Sequence, residues 1–407
     1  MKKHILIVSQ YFYPEQFRVN DIALDLVKRG YKVSVLTGIP NYPEGKYYDG
    51  YNFFSRNEKM GEVEIHRIPL LPRGKGKLGL VANYLSFVFF GFFWQIITKI
   101  NPDHIFIYEV SPMTQALPGV WLAKRRKIPV TLYVTDLWPE NVQIVGGINH
   151  PLIIANLEKM VKYIYRNVDN ILTSSESFID KIIERGVEKA KLQFWPQYAE
   201  EFYCPYENTF KNEIPNDGIL NLTFTGNLGA AQGLDILPKV AKKLKGSKIN
   251  VRFNLIGDGR YKETLIEEIS KYNVEDYFNL IGKKNPEEIP KYFANSDASL
   301  IILSKNELFQ MTIPAKLQSS MACSMPIIAS VDGETSSIIE KSMSGLVSSS
   351  GDENALFANI VKFLEMSEED KKYLSGNSIK YYHRHFKKDN LMDILEKVLW
   401  GDNIDSI

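Results

Sequence analysis

The strongest constraint on this chain is a strand, loop, helix, strand order that occurs at its start and again past its middle. His4 to Ser9 reads as a buried strand, Asn20 to Arg29 as an amphipathic helix stopped by Gly30, and Tyr31 to Thr37 as a second strand. From Leu220 the order restarts, with strand Leu220 to Thr225, a glycine-rich turn Gly226-Asn227-Leu228-Gly229, helix Gly233 to Leu244 and strand Asn250 to Ile256. Strands alternating with helices predict an α/β fold on doubly wound parallel sheets. A chain of 407 residues exceeds what one core usually serves, so two domains are expected. Gln193 to Pro205, with Trp195-Pro196 and Cys204-Pro205, has the look of an interdomain linker, and the boundaries read as 1–198, a linker at 199–215, and 216–385, with a last helix in 386–407 packing back on the first domain. Ligands of such sheets bind beyond the carboxyl ends of the strands, which makes the loops after each strand the informative ones.

Composition removes several function classes. A net charge of +1 argues against a nucleic-acid binder, which would show a basic excess. Cys204 and Cys323 make neither a disulfide framework nor a metal-ligand cluster, which fits a reducing compartment, and the six histidines lack metal spacing apart from the pair His383 and His385 in a basic tail. There is no Walker A loop, zinc signature or Asp-x-Asp motif, so no bound metal is expected. The apolar run Ile5 to Val8 is too short for a signal peptide and reads as a first strand.

Three stretches carry candidate chemistry. The loops Gln10 to Asn20 and Pro40 to Gly45 are aromatic and polar, and packing alone leaves Arg18 and Glu15 unexplained. Strand Val130 to Val134 delivers Thr135-Asp136-Leu137-Trp138-Pro139-Glu140, where Asp136 can act as a base, orient a sugar hydroxyl, or simply cap the next turn. Thr312 to Ser330 holds Ile313-Pro314 as a helix opening, a helix to about Ala322 with Lys316 in its first turn, and a strand at Ile327 to Ala329. Free helix amides and an ammonium suit a dianionic phosphate, the alternative being a surface helix with a solvated lysine.

Leu78 to Thr98 carries no charge and holds Phe87, Phe89, Phe90, Phe92, Phe93 and Trp94. It is nearly long enough to span a bilayer. Gly79, Asn83, Ser86, Gly91 and Gln95 dilute it, and it lies between strands of one domain, so it reads as a helix partly buried and partly lipid-facing. Arg73, Lys75 and Lys77 precede it and would favour anionic headgroups by about 1 kcal/mol per charge.

Six motifs in order give the chain a resemblance. Gln10 to Glu15 (QYFYPE), Pro40 to Gly45 (PNYPEG), Asp136 to Glu140 (DLWPE), Gly226 to Leu234 (GNLGAAQGL), Gly257 to Gly259 (GDG) and Ile313 to Gln318 (IPAKLQ) together resemble glycosyltransferase family 4 on the GT-B fold. The similarity is closest to the bacterial subgroup making O-antigen, capsule or colanic-acid-type polysaccharides, including N-acetyl-L-fucosamine transferases. The resemblance implies two Rossmann-like domains facing each other across a cleft. It also implies transfer with retention, without a metal or other cofactor, from a nucleotide sugar, expected to be UDP-linked. The acceptor would be an undecaprenyl-diphosphate-linked saccharide met at the inner leaflet through 73–98, by a cytoplasmic protein peripherally held at the inner membrane.

Carried over by position, Asp136 and Lys316 would be catalytic. Gly226, Asn227, Gln232, Gly257, Lys283, Thr312, Gln318 and Ser319 would hold the donor, with the last two at the ribose, and Tyr13, Arg18, Asn41 and Trp138 the acceptor. The chain departs from the family pattern at Asn227 and Gln232, where many members have Arg and Lys. It departs again at Met311 and Ser319, where two glutamates eight residues apart are usual, and at Arg18-Val19-Asn20-Asp21, which replaces a glycine pair. Two other classes compete: a UDP-N-acetylglucosamine 2-epimerase-like enzyme, which would need no lipid-facing helix, and a non-catalytic nucleotide-binding scaffold, which the missing glutamates favour.

Overall fold

The computed structural model describes residues 2–74, 76–144, 146–207 and 213–401. The chain forms two compact units, Met1–Trp195 with Met392–Ile407, and Pro196–Leu391.

The first unit carries strands β1 (His4–Val8), β2 (Lys32–Thr37), β3 (Asn57–Met60), β4 (Val63–Arg67), β5 (His104–Glu109), β6 (Val130–Val134), β7 (Asn170–Thr173) and β8 (Leu192–Phe194). Among the described residues they make one sheet in the order β3-β4-β2-β1-β5-β6-β7-β8. All neighbours are parallel except β3 and β4, an antiparallel hairpin turning at Gly61. The sequence reading missed this hairpin. Its outer strand reads N-E-K-M, an edge strand dominated by charge, which lacks the apolar run that marks a buried parallel strand. β5 and β6 are buried at every position because helices cover both faces.

The second unit carries β9 (Leu220–Thr225), β10 (Val251–Ile256), β11 (Phe278–Gly282), β12 (Ala298–Ile302), β13 (Ile327–Ser330) and β14 (Gly345–Ser348) in the order β11-β10-β9-β12-β13-β14, all parallel. Strand order reverses between β1 and β5 in the first sheet and between β9 and β12 in the second. Ligand crevices of open α/β sheets form at such reversals.

Two expectations need correction. Ala199 is 2% exposed in an apolar cluster with Leu317 and Met321, and Ile214 is 1% exposed beside Phe293, so these ends of the expected 199–215 linker are core; 208–212 lie outside the described residues. The last helix is Lys388–Trp400, with 402–407 outside the described residues. Within the first unit its later turns meet β2 and the helix before it. Arg29 Nη1 lies 2.6 Å from Asp393 and 2.5 Å from Glu396, the Tyr31 hydroxyl donates to Glu396 at 2.7 Å, and Tyr31 stacks on Trp400.

The uncharged helix runs Lys77–Ile97, and its polarity is inverted relative to the expectation that polar residues merely dilute it. The buried positions are Asn83, Ser86, Phe87, Gly91 and Gln95, whereas Leu78, Val81, Leu85, Phe89, Phe92, Phe93, Ile96 and Ile97 are exposed. Each buried polar group has a partner: Gln10 Nε2 donates to Asn83 Oδ1 at 2.8 Å, Leu71 N to Ser86 Oγ at 3.0 Å, and Arg125 Nε to Gln95 Oε1 at 2.9 Å. Gly91 lets the helix approach the next one, since a Cβ there would stand 2.3 Å from Pro118 Cγ. This helix is long and apolar enough to cross a membrane, with only 28% of its most apolar window buried.

Candidate functional site

In the second unit the loops after β9, β10 and β11 are joined by main chain. Gly226 N donates to Ile256 O at 2.9 Å, Leu228 N to Asp258 O at 2.9 Å, and Gly257 N to Gly282 O at 2.9 Å. Gly257 has φ +153, and a Cβ on it would fall 1.8 Å from Gly226 O, so only glycine fits. Asn227 is exposed, and its side chain is shorter than the Arg expected there. Its side chain lies over the turn, where a Cβ on Gly229 would meet its Nδ2 at 2.7 Å and one on Gly259 its Oδ1 at 2.5 Å.

Lys316 comes to this edge from the helix Ala315–Ala322, whose N-cap is Pro314 in extended backbone; the sequence reading placed Pro314 inside the helix. The ammonium sits 3.8 Å from the centre of the Phe224 ring and donates to Gln232 Oε1. A Cβ on Gly226 would lie 3.9 Å from Lys316 Nζ, an ordinary contact, so the amine borders the glycine turn. Burial pushes its pKa down to about 7, and no carboxylate pairs with it among the described residues. Lys316, Gln232, Gly226 and Gly257 are thus brought together. Phe224, the floor of the amine's seat, was not singled out from sequence because a phenylalanine inside a strand reads as core.

Other expected donor residues are turned elsewhere. Gln318 is 1% exposed, and in the orientation that satisfies its amide it donates to Pro314 O at 2.8 Å and Ala315 O at 3.3 Å. The Ser319 hydroxyl donates to Ala315 O and Lys316 O, each at 3.2 Å. Both therefore close the first turn of their own helix, which corrects the ribose assignment. Thr312 Oγ1 donates to Phe309 O at 3.1 Å while its carbonyl accepts from Thr335, and Lys283 is exposed beyond β11.

In the first unit the corresponding edge is built by side chains. Glu15, 2% exposed, accepts the amides of Asn41 at 2.8 Å, Tyr42 at 2.7 Å and Phe12 at 3.3 Å, so one carboxyl ties the first loop to the second. Burial nevertheless raises its pKa to about 7 against those three amides. Arg73 stacks 5.1 Å from the Tyr42 ring centre, and its amide donates to Asn41 Oδ1 at 3.0 Å. Arg73 is thus engaged with aromatic faces; Lys77 donates to Gly146 O at 3.4 Å, and Lys75 lies outside the described residues. The bonds Tyr13-Pro14, Tyr42-Pro43, Ser111-Pro112 and Trp138-Pro139 in these loops are cis.

Asp136 Oδ2 accepts Ser111 N at 2.8 Å, which joins the loop after β6 to the loop after β5. Trp138 Nε1 and Asn141 Nδ2 donate to Ser111 Oγ at 3.0 and 3.1 Å. Trp138 is 6% exposed and Asn41 fully buried, so both hold the edge together and neither offers its polar group outward, contrary to the acceptor role expected of them. Tyr13, 40% exposed, and the half-buried Asp136 remain at the surface. Arg18 opens the helix Arg18–Lys28, and its charge is felt at the Tyr133 hydroxyl. Among the described residues no group of three His, Cys, Asp or Glu side chains is placed to hold a metal ion.

Known proteins match both units. The model described as "Glycosyl transferase 4-like domain" matches residues 16–196, and that described as "Glycosyl transferases group 1" matches residues 206–380. A relative from Erwinia amylovora, the amylovoran biosynthesis glycosyltransferase AmsK, is 25% identical over 94% of this chain and 96% of its own. The putative colanic acid biosynthesis glycosyl transferase WcaI of Escherichia coli K12 is 23% identical over 78% of this chain and 81% of its own. Among solved structures, Anabaena HepE in complex with UDP superposes with a TM-score of 0.70 at 13% identity, covering 98% of this chain and 100% of that one.

Proposed function

Since the chain is a glycosyltransferase of the GT-B fold, we propose that it moves a sugar from a UDP-sugar to a lipid-linked saccharide during bacterial surface polysaccharide synthesis. The observation that carries the reading is the seat of Lys316, a cation without a carboxylate beside a glycine turn at a strand-order reversal. A sugar nucleotide leaves a diphosphate whose new charge must be met as the anomeric bond breaks, and an ammonium with main-chain amides can do this without a metal. A lysine near neutrality becomes fully charged when a dianion arrives, because an opposite charge favours the ionised form. Asp136 orients the acceptor hydroxyl or takes its proton, and transfer proceeds with retention at the anomeric carbon.

UDP as the nucleotide is supported by the HepE complex, and a polysaccharide pathway by the names of AmsK and WcaI. An N-acetylated deoxyamino sugar such as L-FucNAc follows from the motif resemblance. The inverted Lys77–Ile97 helix supports peripheral attachment to the inner leaflet, where a lipid-linked acceptor lies. Its exposed Leu and Phe side chains form an apolar face that the protein leaves uncovered. Replacing Phe89 and Phe93 by Ser is expected to release the protein from anionic vesicles in a sedimentation assay; unchanged binding would remove the helix from this role.

A calorimetric and thermal-shift panel of UDP, GDP and ADP tests the donor. Stabilisation by UDP alone, scaling with RT ln(1 + [L]/Kd), is the expected result. Equal response to all three, or none, would defeat the UDP assignment.

A further inference from the structure

Glu109 ends β5 and pairs in register with Val134 of β6, immediately before the Thr135–Asp136 turn. Its side chain is 0% exposed, and the Thr135 and Asp136 amides that approach its carboxyl oxygens fall short of good hydrogen-bond geometry. No arginine or lysine stands against it among the described residues: the charge it feels is that of Asp136, which is repulsive, and burial adds to that penalty. The Thr135 and Asp136 amides lie on its attractive side but do not offset the other two. From the helix Pro151–Arg166 the group facing it is the Tyr165 hydroxyl, also buried and unpartnered, for which Glu109 is the largest neighbouring charge. Thr173 on β7, in register with Val134, adds another buried unpartnered hydroxyl. An ionised carboxylate in such surroundings would cost far more than a neutral acid.

The loops above depend on this spot. Thr135 donates to the Glu109 carbonyl from its amide at 3.1 Å and its hydroxyl at 2.6 Å, while Asp136 holds Ser111 N. We propose that Glu109 is a positioning residue for Asp136, a carboxylic acid kept protonated under the Thr135–Asp136 turn so that this edge carries one negative charge instead of two. Burial with a neighbouring carboxylate and no cation keeps the proton on Glu109. Loss of the Glu109 proton at alkaline pH puts a second negative charge beneath the turn and shifts Asp136 from its place. The inference rests on the proposed role of Asp136 at the acceptor.

Two readouts test it. Difference infrared spectra of wild type against Glu109→Gln at neutral pH are expected to show the carbonyl stretch of one protonated carboxylic acid, and carboxylate bands in its place would overturn the proposal. Glu109→Met, also neutral and of similar size, provides the same difference should the Gln variant fold poorly. In turnover assays Glu109→Gln is expected within about threefold of wild-type kcat at neutral pH, at little change in KM, and to show a shallower alkaline fall of kcat than wild type, the fall that remains belonging to Lys316. An alkaline limb identical to wild type would overturn the positioning role. Full activity of Asp136→Asn would defeat the Asp136 reading alone, leaving the infrared result to decide the protonation of Glu109.

Discussion

The carboxyl edges of the two sheets solve the same problem with different materials. The edge of the second unit is made of glycines and main-chain hydrogen bonds among the turns at 226–229, 257–259 and 282, with the Lys316 amine seated against the first of them. The edge of the first unit is made of side chains: Glu15 ties two loops, Asp136 and Ser111 tie two more, and aromatic rings fill the spaces. Main chain cannot vary with sequence, so an edge built from it suits a constant anionic ligand such as a diphosphate. Side chains vary freely, so the other edge suits a ligand that differs between relatives, such as an acceptor sugar.

The largest effect should come from the main-chain-built edge, at the amine beside its glycine turn. Lys316→Ala is expected to lower turnover on the order of a hundredfold to a thousandfold, as removal of a transition-state donor does elsewhere. Product UDP release with unchanged thermal midpoint would check it, and near wild-type turnover would mean the amine is not the phosphate ligand.

Glycine replacements should then separate the two edges by stability. Gly257→Ala drives a methyl into Gly226 O and is expected to cost about 3 kcal/mol. Gly38→Ala in the first unit presses mainly on the buried Leu70 side chain, at 2.5 Å, with Gln10 O at 3.2 Å, and should cost less, about 1–2 kcal/mol. Denaturant midpoints measure both, and equal losses would erase the distinction between backbone-built and side-chain-built edges.

The smallest effect is a pH slope. Glu15 has its pKa raised from 4.5 to about 7 in the folded state, so the folded form holds the proton more tightly between those values. Its contribution to stability is complete below 4.5 and fades as pH rises through 7. Glu15→Gln should flatten that slope in thermal melts, whereas Glu15→Ala should cost about 2 kcal/mol at any pH by leaving buried amides unpaired. A wild-type slope of the opposite sign would show that the three amides outweigh burial.

Buried parallel strands such as Val130–Val134 and Leu220–Thr225 were legible to within a residue or so because they are plain apolar runs, whereas β4, β8 and β14, less apolar and nearer the sheet edges, were not read. The glycine turn and Lys316 were legible for a related reason, since φ and helix-start chemistry restrict residue type. What escaped was direction. Gln318 and Ser319 look like ligands but satisfy their own helix, and Asn41 and Trp138 look exposed but bond inward. A polar residue has several ways to be satisfied, and sequence spacing does not choose among them. The Lys77–Ile97 helix shows the converse: its small polar residues are the packed face because Asn83, Ser86 and Gln95 find partners there.

The ion pairs of Arg29 with Asp393 and Glu396 join residues 364 and 367 positions apart, while the whole second unit, Pro196–Leu391, lies between them in the chain. During synthesis from the N-terminus, the second unit can therefore finish folding while the first still lacks its closing helix. Until Trp400 leaves the ribosome, Tyr31 lacks the ring it stacks on and Arg29 keeps only partners such as Asp25 of its own helix, and the nascent first unit is the part exposed to chaperones and proteases. A truncation from Met392 onward would be expected to spoil the unit made first and spare the one made later.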